Sequence, residues 1–512
     1  MALLHRVLAN EYRDSVALMQ LSSALARLEG VKQASAVMAT PSNLELLARA
    51  GLNAGAVEAR PSDLLIVVEG DAKALPAALD EAQKRLAAPA GGASAAGPQR
   101  LAPRSIAMAL AENPQANLAL ISTPGDYATA EALKALNLGL HVMLFSDNVS
   151  GADEAMLKRR ARELGLIVMG PDCGTAIVNG IPLAFANVVK RGAIGSVAAS
   201  GTGLQEVTVL VDRYGAGISQ AIGTGGHDLS KEVGGISMLS GLAALAADPA
   251  TKVIVLVSKP PAKEIAESIL AEARRAKKPV VVNFLGSDPA AISGGNLRGV
   301  ETLEDAARTA VGLLPKIALP VEAKKSRPPK TAKFKSGQQF IRGLFSGGTF
   351  CYEATLLLQR ALGEVWSNSP VGKAKKIPDA WKSRGHTLVD LGEDEFTRGR
   401  PHPMIDHRLR NERLLVEAAD PEVAVVLLDV VLGYGSHADP AAEMVPVLEK
   451  AQAIAKKGKR NLAVVGHVCG TDADPQGYVR QSAALAAAGM LLASSNAEAA
   501  RWAAKLAKGA AR

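Results

Sequence analysis

The sequence predicts an α/β protein whose parallel sheets follow a small α+β region, and three observations carry that reading. Apolar runs alternate with helical patterns from about residue 104 onward, as expected of strands joined by crossover helices. A small-residue turn between a strand and a helix occurs twice, as Ser200-Gly201-Thr202-Gly203 and as Ser346-Gly347-Gly348-Thr349. The apolar runs after the second turn repeat the plan of those after the first, as in a diverged internal duplication with insertions in the second copy.

The elements follow in order. Up to residue 88 a helix over 15–28 places Val16, Met19, Leu21, Leu25 and Leu28 on a buried side. Strands over 34–38 and 64–69 and helices over 42–50 and 74–86 complete a small α+β domain of the ferredoxin-like kind, with a regulatory or assembly role as the default. An Ala/Gly/Pro linker at 89–103 follows. Next come strands over 117–122, 140–145 and 166–169, ending in Thr123-Pro124-Gly125, Ser146-Asp147-Asn148 and Gly170-Pro171-Asp172. Strands over 195–199, 217–222, 252–257 and 279–284 continue the pattern to residue 318. A basic, Pro-rich tether at 319–336 precedes the second copy, with strands over 340–345, 423–430 and 461–467.

Composition fits this architecture and limits function. In 512 residues, 48% hydrophobic content supplies several cores, while 3% aromatics with much Ala, Gly and Val suit closely packed layers. A net charge of +8 on this length, without aromatic stacking platforms, predicts neither nucleic-acid nor membrane partners. The three cysteines, Cys173, Cys351 and Cys469, are far apart and form no CxxC pair, which argues against a disulfide framework or zinc knuckle and fits a reducing cytoplasm.

A small-residue turn at a helix start leaves backbone N–H groups near a ligand, where the helix dipole favours an anion. Ser200, Gly201, Thr202 and Gly203, with Ser346, Gly347, Gly348 and Thr349, are therefore phosphate-binding candidates, together with Gly225, Gly226 and His227 after another strand. A plain Ser or Thr N-cap gives the same pattern.

Gly170-Pro171-Asp172, Ser200-Gly201-Thr202 with Glu206, and Gly223-Thr224-Gly225-Gly226 resemble the α subunit of succinyl-CoA synthetase. The whole arrangement, with the segment Gly392-Glu393-Asp394-Glu395-Phe396-Thr397-Arg398-Gly399-Arg400-Pro401-His402-Pro403-Met404-Ile405-Asp406, resembles the FdrA family. The resemblance implies a Rossmann-like, CoA-binding-like domain at 104–190, flavodoxin-like ligase domains at 191–318 and 337–512, and the small α+β domain at 1–88. The phosphohistidine of the synthetase has no counterpart, since Gly286-Ser287-Asp288 stands at its place. The glycine-rich phosphate turn of its CoA domain and an ATP-grasp domain are missing as well.

Chemistry is then expected around the insertion of the second copy. Arg398, Arg400, His402, Asp406, His407 and Arg408 place guanidinium forks suited to carboxylate or phosphate beside imidazoles that move protons near neutral pH. His437 stands at a ligand-side strand end, and His467 is a weaker candidate. His402, Asp406 and His407 could hold a metal, but Pro401 and Pro403 deny them a regular helix face; no metal and no cofactor is expected. The FdrA resemblance implies a carbamoyltransferase subunit of the oxamate type in purine and allantoin catabolism, exchanging a carbamoyl group between phosphate and oxamate, with carbamoyl phosphate as substrate. Alternatives are an acyl-CoA synthetase subunit that binds CoA and works with a nucleotide-binding partner, and a non-catalytic scaffold. Other subunits or a homo-oligomer are expected as partners. Substitution of Arg400 or His402 should abolish turnover in a phosphate-release assay while the circular dichroism spectrum stays unchanged.

Overall fold

The computed structural model describes residues 2–13, 15–49, 51–52, 58–87, 102–315, 317, 327–331, 333–397 and 401–510. Most of the two linkers, and Arg398 and Arg400, lie outside the described residues. The chain forms two compact units, Met1–Asp172 with Asp394–Ile405, and Cys173–Glu393 with Asp406–Arg512.

In the first unit, strands β1 (Ala2–Leu8), β2 (Val31–Met38) and β3 (Leu64–Gly70) form an antiparallel sheet in the order β1-β3-β2. The central strand is buried on both faces. Leu64, Ile66 and Val68 pack with Leu18, Leu21 and Leu25 of helix Ser15–Ala26, and Leu65 and Val67 pack with Leu47 and Leu52. The helix buries Leu18 where the sequence reading placed Met19, which is half-buried. Strand β1 escaped that reading because it is an edge strand whose half-buried and exposed residues do not alternate. Strands β4 (Leu118–Ile121), β5 (His141–Leu144) and β6 (Val168–Met169) form a parallel sheet in the order β4-β5-β6. Ala128, Ala132, Ala135 and Ala161 let helices Gly125–Asn137 and Gly151–Glu163 lie close to it.

The second unit contains two lobes. Strands β7 (Thr175–Val178), β8 (Ile181–Ala184), β9 (Arg191–Ala199), β10 (Ile218–Gly223), β11 (Val253–Ser258), β12 (Val280–Phe284) and β13 (Leu297–Gly299) build the first sheet, ordered β13-β12-β11-β9-β10-β7-β8. Strands β14 (Phe340–Phe345), β15 (Trp366–Ser367), β16 (Lys375–Lys376), β17 (Thr387–Asp390), β18 (Val423–Val431), β19 (Ala463–Cys469) and β20 (Met490–Ala493) build the second, ordered β16-β15-β17-β14-β18-β19-β20. Read from opposite edges, the five parallel strands β13-β12-β11-β9-β10 repeat as β20-β19-β18-β14-β17. The sheets differ at the remaining edge, where the first carries the antiparallel pair β7-β8 and the second the short parallel strands β15 and β16. Every residue of β11 and β18 is buried, as central strands covered by helices on both faces require. All three cysteines are buried, and none forms a disulfide. Among the described residues no helix is long and apolar enough to cross a membrane.

Polar contacts tie the lobes together. Asn187, just before β9, donates to the Leu432 carbonyl at 2.9 Å and the Asp474 carboxylate at 2.8 Å, and accepts from Gln205 at 3.1 Å. Val188 N–H also donates to Asp474, at 2.7 Å. Because these groups are buried, Asn187→Ala should lower unfolding stability by about 1–3 kcal/mol. Urea midpoints with an unchanged m value would show it.

Candidate functional site

The two small-residue turns meet. Ser200 caps helix Gly201–Arg213 with its Oγ, which accepts Gly203 N–H at 3.1 Å. Helix Gly348–Leu362 starts at Gly347, which offers no side-chain cap. Ser200 Oγ and Thr349 Oγ1 are 2.6 Å apart and hydrogen-bonded across the lobes. The glycines and threonines of the two motifs are complementary. A Cβ on Gly347 would lie 2.9 Å from Thr202 Cγ2, and one on Gly203 would lie 3.2 Å from Thr349 Cγ2. Each threonine methyl thus fills the space over the other motif's glycine.

Two of the expected phosphate-binding N–H groups are already engaged. Ser346 N and Gly347 N each donate to the Asp429 carboxylate at 2.8 Å. Arg410 holds that acid in turn, donating to Ser346 Oγ at 2.8 Å and to the Asp429 carbonyl at 2.6 Å. An internal carboxylate replaces the external anion expected at those two atoms, because Gly347 cannot cap its own helix. The first-turn N–H groups of Gly201, Thr202, Gly348 and Thr349 have no intrahelical acceptor. Of these residues Gly201 is exposed and Gly348 half-buried, so solvent reaches this side of the pair.

Beside that opening stand two residues that sequence reasoning missed. Lys259 follows β11, and Asp390 ends β17, in register with Phe345. A Cβ on Gly348 would lie 2.5 Å from Asp390 Oδ2 and 3.5 Å from Lys259 Nζ, so both groups converge where the glycine leaves room. The Lys259 ammonium lies 4.6 Å from the centroid of the Tyr352 ring. Asp390 Oδ1 accepts Gly392 N–H at 2.9 Å, and Asn368 holds its backbone from both sides. Burial pushes Asp390 up to about 7, with Glu393 and Asp429 adding to the rise and Lys259 opposing it. The available signal was position: each residue directly follows or ends an apolar parallel strand, on the side where ligands gather in such sheets.

Behind the helix ends lies a buried polar network. Glu206 Oε1 accepts Asn496 N–H at 3.1 Å, and its Oε2 is 3.4 Å from His467 Nε2. Asn496 Nδ2 donates to Glu353 Oε2 at 2.7 Å, while Leu303 N–H donates to Glu353 Oε1 at 2.7 Å. Phe350 meets the His467 ring edge-on at 4.7 Å. His467, a weaker candidate from the sequence, is therefore packed inside β19 and joins the lobes' helices rather than facing solvent.

The other expected site residues are spread over both units. Gly225, Gly226 and His227 follow β10, with Gly226 and His227 exposed; the adjacent Asp228 accepts from Ser237 N and Met238 N at 3.2 and 2.9 Å. His402 belongs to the first unit, whereas Asp406, His407 and His437 belong to the second. Burial lowers His402 to about 4, and its Nδ1 accepts Met404 N–H at 3.2 Å. In the neutral ring the proton is then on Nε2. The Asp406 carboxylate is held by Arg408 Nε at 2.9–3.0 Å.

His407, His437 and Glu443 bring three potential metal-ligand atoms within 4.8 Å of one another. His437 Nδ1 accepts Asp439 N–H at 3.0 Å, which leaves the proton of the neutral ring on Nε2, 3.5 Å from Glu443 Oε1. That is a donor facing an acceptor.

The buried network carries a pH dependence. Burial raises Glu353 from 4.5 to about 7, and Glu206 adds to the rise. The folded chain therefore binds this proton more tightly than the unfolded chain, so its contribution to stability is full below 4.5 and is lost as pH rises through about 7. Urea midpoints should fall across that window, and Glu353→Gln should flatten the fall. An equal fall in both proteins would assign it to another group.

Known proteins match this architecture in three segments. Residues 344–506 match the CoA-ligase family, residues 190–286 the CoA binding domain, and residues 1–102 the family described as AllF, heavy metal-associated domain. The last segment contains no cysteine, the first in the chain being Cys173. The CoA-binding match falls on the first lobe, whereas the sequence reading assigned 104–190 to a CoA-binding-like domain. The succinate–CoA ligase [ADP-forming] subunit alpha-2 of Trichomonas vaginalis is 27% identical over 34% of this chain and 57% of its own length. The ADP-forming sulfoacetate-CoA ligase subunit SauD of Bilophila wadsworthia is 27% identical over 33% of this chain and 59% of its own length. The match thus spans little more than half of each of these ligase subunits. The solved structure of PH0766 from Pyrococcus horikoshii OT3 covers 77% of this chain and 84% of its own, at 14% identity and a TM-score of 0.32. The uncharacterized protein YahF of Escherichia coli (strain K12) is 42% identical over 95% of both chains. This chain belongs to the family of YahF, and in it an AllF-type N-terminal segment precedes segments that match the CoA binding domain and the CoA-ligase family.

Proposed function

We propose that this chain is an acyl-transferring subunit of the acyl-CoA synthetase class, moving an acyl group between phosphate and the CoA thiol with a separate nucleotide-binding chain as partner. One observation carries the reading: two helix N-termini, joined through Ser200 and Thr349, open beside the Lys259 ammonium. A phosphate leaving group suits that concentration of N–H donors and positive charge, which also stabilises the oxyanion of a tetrahedral intermediate. The matches to CoA-binding and CoA-ligase families support the thiol acceptor.

A second reading draws on a specific feature. The turn after β12 is Gly286-Ser287-Asp288, closed by Ser287 N–H donating to the Phe284 carbonyl at 3.0 Å, and it holds no histidine to carry a phosphoryl group. Transfer straight from an acyl phosphate needs no such group. Carbamoyl phosphate is an acyl phosphate, and with oxamate as acceptor the same site would serve a carbamoyltransferase.

The purified chain should bind CoA and form thioester from an acyl phosphate, followed by thioester absorbance and phosphate release. Oxamate-dependent phosphate release from carbamoyl phosphate, without CoA binding, would select the second reading. Neither activity, with and without a nucleotide-binding partner chain, would sink both and leave a scaffold.

A further inference from the structure

Resting on the acyl-transfer reading, we propose that Lys259 and Asp390 are the working pair of this site. Lys259 binds the phosphoryl oxygens of an acyl phosphate over the N-terminus of helix Gly348–Leu362, and Asp390 exchanges the proton of the attacking nucleophile.

The duplication shows that the pair is a departure from symmetry. In register, Ala199 of the first lobe pairs with Ser258, and Thr224 lies one residue beyond the last paired position of β10. The corresponding neighbours of Phe345 in the second lobe are Asp429 and Asp390. Neutral hydroxyls in one copy thus correspond to carboxylates in the other. Asp429 caps the helix entry with two N–H groups and Arg410, which gives it a structural task. Asp390 makes no such cap. Its Oδ2 points to the space over Gly348, where Lys259 Nζ from the other lobe also lies. Lys259 follows Ser258 where the second lobe continues its strand with Val430, so the charge is specific to this side.

The step balances without a further reagent. The nucleophile, a thiol or an amide N–H, attacks the carbonyl carbon of the acyl phosphate and its proton passes to the Asp390 carboxylate. The bond between that carbon and the bridging oxygen then breaks, its electron pair leaves with the phosphate, and Asp390 returns the proton to that phosphate. Lys259 and the N–H groups of Gly348 and Thr349 hold the departing charge.

The groups facing Asp390 are Lys259 after β11, Glu393 on its own loop, Asp429 on β18 with Arg410 behind it, and Cys351 on the helix. Burial, with Asp390 and Asp429 adding, raises the Cys351 thiol well above its ordinary value, so it stays protonated and does not compete as a base. Asp390 itself titrates at about 7, suited to give and take a proton near neutrality.

The test uses the full chain, with inorganic phosphate as the binding probe in calorimetry and an acyl phosphate with CoA or oxamate as the turnover probe. Lys259→Gln should weaken phosphate about tenfold or more, and Lys259→Arg should restore most of that loss. Asp390→Asn should leave phosphate binding intact or tighter, because a like charge is removed. It should lower kcat by about 100-fold or more with KM little changed, and erase the acid limb of the pH profile. Thermal melts of each variant separate folding failure from loss of function. Equal phosphate affinity in the wild type and Lys259→Gln overturns the Lys259 assignment and leaves a structural ion pair only. Wild-type turnover whose rate and pH profile survive in Asp390→Asn overturns the Asp390 assignment while the acyl-transfer reading stands. Lys259-dependent phosphate binding with no acyl transfer to either acceptor overturns that reading and the proton step together, leaving an anion site.

Discussion

The contact between Ser200 and Thr349 is the constraint on which the second unit depends, because it joins two helix ends of the same polarity. Each helix N-terminus carries about half a positive charge, and at an effective dielectric of about 20 two such ends a few ångströms apart repel by on the order of 1 kcal/mol. The surrounding acids outweigh this. Asp429 accepts two backbone N–H groups at 2.8 Å and is ion-paired with Arg410, and hydrogen bonds to a charged group contribute about 1.5–3 kcal/mol each. Glu206 and Glu353 lie one turn further along the two helices, and Asn496 links them. Facing helix ends are thus held together by carboxylates placed beside and behind them.

The same arrangement explains why the copies could not remain identical. A serine in the first turn caps its own helix, so the strand beside it can end in a neutral Ser258. A glycine at the cap of the second helix is forced by Thr202 and Phe350, which leave no room for a Cβ at Gly347. The capping acceptor must then come from a neighbouring strand, and Asp429 supplies it. Threonine over glycine in one direction and glycine under threonine in the other make a knob-and-hole pair that a repeated identical motif would lack.

Much of this was legible in the sequence, for identifiable reasons. Buried central strands such as β11 and β18 are continuous apolar runs, and the turns after β9 and β14 share an unusual composition that marked them as a pair. The duplication was visible because the runs recur in the same succession, whereas the order of strands within each sheet was not. Strand β1 was not, since an edge strand with mixed exposure carries no period-2 signal. Lys259 and Asp390 were hidden for another reason. They are 131 positions apart and meet only because the lobes bring strand ends together, which no local pattern encodes. His402 drew attention by its neighbours in sequence, yet its environment depends on packing, and burial lowers it to about 4.

Glycine at 348 shows how packing and chemistry are coupled here. In most helices a first-turn residue with a side chain would be tolerated, and Ala would favour the helix over Gly by about 1 kcal/mol. Here a Cβ would meet Asp390 Oδ2 at 2.5 Å, so the helix forgoes that propensity to let the acid stand close to its N-terminus. A carboxylate drawn to a positive helix end and to Lys259 would ordinarily ionise readily. Instead burial and the acids Glu393 and Asp429 hold it near neutrality. Those opposing influences keep both protonation states accessible at one position, next to N–H donors suited to an anion. A site needed only for packing would gain by a neutral side chain at this position, such as the Thr224 that stands at the corresponding place in the other lobe.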